Sequence, residues 1–210
     1  MSERVAGEEL RRSPLHEEHL ALGARMVPYA GWEMPVQYAG IVEEHNATRA
    51  SAGIFDVSHM SEFRIFGPDA EAYLSRVLTN DISKIPGLGE AQYTLILTED
   101  GGIVDDVIVY RTGDMEFMII GNASNRAKDF AWLQDHLPEI VEVGEGVNNI
   151  ELVDESDKVG LIAVQGPKAL QIVSELAGEG FEAPRRFNIV STFLDGVPVM
   201  VARTGYTGED

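Results

Sequence analysis

The chain has 210 residues, 35 acidic against 16 basic side chains, a formal net charge of −19 at pH 7, and no cysteine. A chain this acidic repels polyanions, so we expect neither a nucleic-acid partner nor binding to an anionic membrane. Without cysteine it has no disulfide, thiolate nucleophile or iron–sulfur cluster. It also shows no secretory signal and no apolar run near the roughly 20 residues that span a bilayer, which predicts a cytoplasmic protein.

The first quarter of the chain predicts a leader, two short helices and a loop. Mixed charges predict a flexible leader over residues 1–12. Apolar spacing predicts helices over residues 14–25 and 42–51, separated by a compact loop over residues 29–35. The segment His16-Glu17-Glu18-His19 lacks the four-residue histidine spacing of a zinc-binding helix. We therefore interpret it as a solvent-facing helix turn and predict no metal site.

From about residue 56 the pattern is typical of an α+β protein. Apolar residues recur at i, i+3, i+4, i+7 and i+8 from Ala70, which predicts one face of an amphipathic helix. The strands and second helix around it predict helices packed on one face of an antiparallel sheet. The predicted strands cover residues 63–66, 93–98, 103–110 and 117–120, and the second helix covers residues 123–137.

A similar pattern follows the polar stretch at residues 139–149. The strand predicted there ends in Gly166-Pro167, as the earlier strand ends in Gly67-Pro68, and a helix follows in both cases. The repetition predicts two related α+β units with a boundary near residues 140–150. The later elements are the strand 159–165, the helix 169–176 and the hairpin strands 187–193 and 197–203.

Two adjacent acids, Asp105 and Asp106, lie in the otherwise apolar strand that follows the Gly101-Gly102 turn. Side chains alternate faces along a strand, so the two acids point in opposite directions. The regular alternation places Val104, Ile108 and Tyr110 beside Asp106, and Ile103, Val107 and Val109 beside Asp105. A carboxylate in an apolar row is costly unless it is hydrogen-bonded or used, which makes this pair a candidate site. The alternative is a strand start that carries acids for solubility.

Aromatic residues near strand ends and turns are candidates for the wall of a flat-ring pocket. Each of them alone is equally typical of an ordinary core. Together with Asp106 they suit a neutral or cationic nitrogen heterocycle. These aromatic residues are Tyr93, Tyr110, Phe187 and Tyr206.

Several stretches recur in order in one known family. They are Pro14-Leu15, Tyr29–Pro35, Gly53–Met60, Thr79–Asp81, Gly101–Asp106, Gln165–Pro167 and Arg203–Asp210. On these stretches the chain closely resembles, from about residue 13 to residue 210, aminomethyltransferase, the T-protein of the glycine cleavage system.

The resemblance implies an α+β fold with antiparallel sheets, packed helices and a central folate channel. It implies a discontinuous first domain, here residues 13–55 with 146–210, and an inserted domain at residues 56–145, after the leader at 1–12. The family's C-terminal barrel would lie beyond Asp210, so the expected fold is T-protein-like without that barrel.

Carried over by position, Asp106 corresponds to the family's key acid. The resemblance implies that tetrahydrofolate takes a one-carbon unit from the aminomethyl-lipoyl arm of the H-protein, and that ammonia leaves. Two alternatives remain: a related folate-dependent demethylase, such as the folate part of a sarcosine-type dehydrogenase, and a non-catalytic folate-binding fragment. The positions implied to line the folate site are Tyr93, Ile108, Asn122, Phe187, Tyr206 and, at the channel wall, Met60.

Overall fold

The computed structural model describes residues 9–137, 150–205 and 207–209. The helices and strands of these residues confirm the predicted α+β class with antiparallel sheets and packed helices. The helices are α1 (His16–Ala21), α2 (Ile41–Ala50), α3 (Ala70–Val77), α4 (Arg126–Asp135) and α5 (Ala169–Ala177). The strands are β1 (Arg11–Arg12), β2 (Arg25–Tyr29), β3 (Trp32–Gln37), β4 (Gly53–Asp56), β5 (Ser61–Phe66), β6 (Ala91–Leu97), β7 (Ile103–Gly113), β8 (Glu116–Gly121), β9 (Glu151–Asp154), β10 (Ile162–Gln165), β11 (Ile189–Leu194) and β12 (Val197–Ala202).

The largest sheet has five antiparallel strands in the order β6-β7-β8-β5-β9. One face of it, which we call the core face, is covered by α3 and α4. The predicted apolar face of α3 is buried there, and the Tyr73 hydroxyl donates to the Leu133 carbonyl of α4 at 2.6 Å. Each large side chain buried in this way stabilises the fold by about 1.5–3 kcal/mol.

A β-bulge interrupts the pairing of β6 and β7. Ile96 pairs with Asp105 and Leu97 pairs with Ile103, which leaves Val104 as an extra residue. Val104 consequently joins the buried cluster of the core face together with Val107 and Val109. The prediction that Val104 shares a face with Asp106 is wrong, because regular alternation does not hold across a bulge.

The predicted loop over residues 29–35 is wrong, because β2 and β3 form a hairpin here. Only Ala30 and Gly31 turn, both with positive φ, and Trp32 and Met34 are buried at strand spacing. Arg11 and Arg12 pair with β3, so the end of the predicted flexible leader belongs to this sheet. The structure describes nothing before residue 9.

The interpretation of the first helix as a solvent-facing turn is also wrong. His16 and His19 are both buried, because residues three apart share one helix face. His19 Nε2 lies 2.8 Å from Asp56 Oδ2, and the Tyr38 hydroxyl lies 2.9 Å from His19 Nδ1. These contacts join α1 to the end of β4.

The early and late parts of the chain meet in the antiparallel pair β4–β10. Helix α5 then starts after Gly166, whose φ is +125°. A Cβ atom at Gly166 would lie 2.5 Å from the Thr48 carbonyl oxygen, so the close approach to α2 requires glycine. β9 pairs with β5 and forms an edge of the five-stranded sheet. The polar stretch 139–149 lies outside the described residues.

Candidate active site

Asp106 lies on the face of the five-stranded sheet opposite the core face, which we call the site face. Its carboxylate is partly exposed near the start of β7. The Tyr93 hydroxyl donates to Asp106 Oδ2 at 3.2 Å, and the Asn122 amide lies 3.3 Å from Oδ1. Two neutral donors therefore orient a carboxylate that remains accessible to a ligand.

Asn122 holds Asp106 because β8 ends at Gly121 and the chain turns there into a short 3-10 helix, Ala123–Asn125. At this sheet end the Asn122 amide reaches acids on both faces. Its Nδ2 lies 2.9 Å from Asp105 Oδ1 and 3.2 Å from the Asp106 carbonyl oxygen. One side chain thus fixes the two adjacent acids relative to each other.

Ile108 and Tyr93 form the apolar part of the site face. They are register partners on β7 and β6, and Ile108 also pairs with Ile120 of β8. The Tyr93 side chain is 46% exposed, whereas Ile108 is partly buried against Tyr110. The exposed ring of Tyr93 therefore lies beside the partly exposed carboxylate to which its hydroxyl donates.

Phe187 lies at the edge of the same face, although it is distant in sequence. Its N–H donates to the Arg203 carbonyl at 2.9 Å, and its own carbonyl accepts the Ala91 N–H at 2.8 Å. Its φ is +56°, a left-handed conformation that is uncommon for a residue with a side chain, and the ring is 44% exposed. Ala91 begins β6, two residues before Tyr93, so the backbone of Phe187 lies beside the strand that carries Tyr93.

The two remaining predicted positions are less well connected to Asp106. Met60 directly precedes Ser61, whose register partner Gly121 precedes Asn122, so Met60 lies at the same end of the sheet. Its N–H donates to the Val57 carbonyl at 3.0 Å. Tyr206 lies outside the described residues.

Asp105 points to the core face and is buried. Burial acts to raise the pKa of this carboxyl, but hydrogen bonds with Asp129, Asn122 and Asn125 outweigh it and lower the pKa. For Asp129, burial first, and then the hydrogen bond and charge of Asp105, raise the pKa to about 8. The pKa values of the two buried acids are therefore displaced in opposite directions.

A family described as GCVT N-terminal domain matches residues 15–210. The chain belongs to this family.

Curated relatives of this GCVT N-terminal domain carry the name aminomethyltransferase. The protein from Rubrobacter xylanophilus is 48% identical over 98% of the chain, and that from Thermotoga maritima is 43% identical over 96%. In both cases the chain covers 53% of the relative, so it spans about half the length of the curated proteins it matches.

Solved structures show the same relationship. The glycine cleavage system aminomethyltransferase T from Bartonella henselae superposes with a TM-score of 0.82 at 34% identity, covering 96% of this chain and 52% of that one. The heterotetrameric sarcosine oxidase from Corynebacterium sp. U-96 reaches a TM-score of 0.53 at 17% identity over 94% of this chain and 83% of that one, which shows a shared fold alone.

The GCVT N-terminal domain places another acid, Glu62, on the site face with Asp106. Glu62 pairs with Ile120, which in turn pairs with Ile108. It is buried, and burial together with the charge of Glu155 raises its pKa to about 7. Sequence reasoning missed Glu62. An acid that alternates with apolar residues along a strand normally faces solvent, so its position suggested no special role.

Asp129 was also missed, although one signal for it exists. It lies four residues before the fully buried Leu133, at the spacing that places both on one face of α4. Among the residues that the structure describes, no group of three or more histidine or acidic side chains is arranged to hold a metal ion. No helix in the same ranges is long and apolar enough to cross a membrane.

Proposed function

We propose that this chain forms the folate-binding face and supplies the catalytic acid of an aminomethyltransferase of the glycine cleavage system. In the proposed reaction, tetrahydrofolate accepts the one-carbon unit carried by the lipoyl arm of the H-protein, and ammonia is released. The proposal includes the lipoylated H-protein as partner, no metal, and a cytoplasmic location. The observation that supports it best is the partly exposed Asp106 carboxylate, held by Tyr93 and Asn122 beside the half-exposed ring of Tyr93.

The chemistry of the donor set fits a reduced pterin. Its ring is flat and carries N–H groups, which an oriented carboxylate can accept while aromatic side chains cover the ring faces. Tyr93 and Phe187 are both about half exposed, and Ile108 is the register partner of Tyr93 and lies two residues after Asp106 on β7. In this proposal these side chains bind the faces of the ring, and Asp106 accepts hydrogen bonds from the N–H groups along one edge of it.

Asp106 also has a role in proton transfer. Attack by a pterin nitrogen requires that nitrogen to lose a proton, and the departing amine must gain one. A carboxylate already fixed within hydrogen-bond reach can assist this exchange without first being ordered. General acid–base assistance of this kind is typically worth about 100- to 10,000-fold in rate.

The substitution Asp106→Asn tests this role. It preserves shape and most hydrogen bonding, so we expect folate affinity to stay within about tenfold while turnover falls about 100- to 10,000-fold. Affinity is measured by anaerobic calorimetry with tetrahydrofolate, and turnover with aminomethyl-lipoyl H-protein. Asp114→Asn, an exposed acid between β7 and β8, is the matched control and should behave like wild type.

The outcomes separate the proposed function from its rivals. Unchanged turnover in Asp106→Asn would remove the catalytic role, and absence of tetrahydrofolate binding to the wild-type chain would remove the proposal as a whole. Binding without turnover would assign a folate-binding role only. Turnover of a methylated amine in place of the aminomethyl donor would assign a demethylase, a possibility that the shared fold with sarcosine oxidase keeps open.

A further inference from the structure

A buried pair of acids lies on the core face directly behind the site. Asp129 of α4 is fully buried, and its carboxyl interacts with that of Asp105 on β7. Among the described residues, no N–H or hydroxyl group donates to either carboxyl oxygen of Asp129. A fully buried carboxylate with no donor is one of the most costly arrangements in a protein interior.

Asp105 has the opposite environment. Its Oδ1 accepts the side-chain amides of Asn122 at 2.9 Å and Asn125 at 2.6 Å, and its Oδ2 accepts the backbone N–H of Asn122 at 3.1 Å. Three donors stabilise an ionised carboxylate strongly. Two adjacent buried carboxylates cannot both be ionised at low cost, so the proton belongs on the acid that lacks donors.

The same amide that binds Asp105 also binds Asp106. Asn122 Nδ2 lies 2.9 Å from Asp105 Oδ1 and 3.3 Å from Asp106 Oδ1. The position of this amide therefore depends on the charge and location of Asp105, and Asp105 in turn contacts Asp129.

We propose that Asp129 carries a proton which it donates to the Asp105 carboxylate, and that this buried pair holds Asn122 in the position from which it orients Asp106. Asp129 is thus a positioning residue for the site, acting through Asp105 and Asn122. The effect on folate binding rests on the proposed function, whereas the protonation of Asp129 does not.

The charged groups that act on Asp129 are few. Asp105 faces it from β7, and Lys128 on its own helix exerts the opposite influence on its pKa. The Lys128 ammonium itself donates to the Val104 carbonyl at 2.5 Å, while Asn122 and Asn125 bring amides and no charge. Loss of the Asp129 proton therefore places a second negative charge against Asp105, pushes the carboxylates apart and releases Asn122.

The first measurement needs no ligand. In the wild-type chain, carbon-detected NMR of the aspartate side chains should show one buried carboxyl that stays protonated at neutral pH and titrates at about pH 8. Asp129→Asn should remove this signal, and Asp135→Asn, an exposed acid on the same helix, should leave it unchanged. An Asp129 carboxyl that titrates near pH 4 would overturn the proposal.

The second measurement follows tetrahydrofolate affinity from pH 6.5 to 9.5. Wild type and Asp135→Asn should lose about tenfold in affinity across pH 8. Asp129→Asn, whose amide can donate to Asp105 but cannot ionise, should bind with a flat profile. Asp129→Leu fills the space without a donor and should bind at least tenfold more weakly at neutral pH, in a chain whose circular dichroism is unchanged.

The two measurements distinguish failure of the proposed function from failure of the positioning role. A wild-type chain that shows the protonated carboxyl but binds no tetrahydrofolate contradicts the proposed function and leaves the acid pair in place. A chain that binds tetrahydrofolate with the same pH profile in wild type and Asp129→Asn contradicts the positioning role. If Asp129→Leu does not fold, the Asp129→Asn profile decides by itself.

Discussion

Helices α3 and α5 occupy comparable places in the sequence and have different surroundings in the structure. Each follows a strand and a Gly-Pro turn, and each carries apolar residues at helical spacing. The inward side of α3 is buried against the five-stranded sheet, whereas α5 buries only Ala169. Apolar periodicity thus shows which side of a helix can be buried, while burial itself depends on the surface that faces it.

The strands near these helices show the same contrast. β5, β7 and β8 contribute to one continuous cluster of buried apolar side chains. Around α5, large apolar side chains remain exposed, among them Ile54 at 71% and Phe193 at 60%. We therefore expect stability to reside mainly in the five-stranded sheet, with the region of β4, β10, β11 and β12 contributing less.

The largest effect should come from opening the core of the sheet. Phe117 on β8 is fully buried, so Phe117→Ala removes its burial and leaves a cavity, at a cost of about 3–5 kcal/mol in the free energy of unfolding. Urea denaturation followed by circular dichroism measures this. Phe193→Ala is the matched control, since it deletes the same atoms from an exposed position. Equal losses for the two variants would contradict the contrast between the regions.

A smaller effect should appear as a pH dependence of the sheet region. The pKa of Asp129 is raised from 3.8 to about 8, so between these values the folded chain binds a proton that the unfolded chain releases. The free energy of unfolding should therefore fall as pH rises through this window, by up to about 1.4 kcal/mol per pH unit, and level off above pH 8.

Asp129→Asn should remove this slope, while Asp135→Asn keeps it. Denaturation at pH 5, 6, 7 and 8 gives the comparison, and taking the difference between the variants cancels the titration of all other groups. Equal slopes in wild type and Asp129→Asn over this range would contradict the raised pKa of Asp129.

The smallest effect should come from the exposed apolar surface. Phe193→Ser on β11 is expected to change the free energy of unfolding by no more than about 0.5 kcal/mol, because the ring is largely in solvent already. It should lower the fluorescence of a bound apolar dye, since it removes part of an exposed apolar patch. A loss above about 2 kcal/mol would mean that Phe193 is packed in solution.

Much of the fold could be predicted from local patterns. The helix from Ala70 and the hairpin that contains Asp105 and Asp106 follow from apolar spacing and a Gly-Gly turn. The β2–β3 hairpin was missed because the turn-favouring Gly31 and Pro35 occur in or beside the short strand β3, and the segment was therefore interpreted as a loop. The bulge at Val104 was missed because it depends on the pairing of two strands and leaves no pattern in one of them.

The candidate site divides in the same way. Asp106 was predicted from the sequence because it is one of two acids in an otherwise apolar strand and because the resemblance implied it. The structure places the side chains of Tyr93 and Asn122 against it. The only sequence signal for Asp129 is its spacing from Leu133, and this signal is weak because an acid on a helix is normally a solvated residue. Only the position of α4 over β7 shows that its carboxyl lies behind the site.

The end of β8 gives Asn122 a particular role. Over most of its area a β-sheet is a partition: groups on its two faces are separated by the backbone and do not sense each other directly. At the last residue of a strand this partition stops, and an amide side chain can touch acids on both sides, as Asn122 touches Asp105 and Asp106. A change of charge in the dry interior can thereby be transmitted to the wet surface through a single side chain, with no movement of the sheet itself.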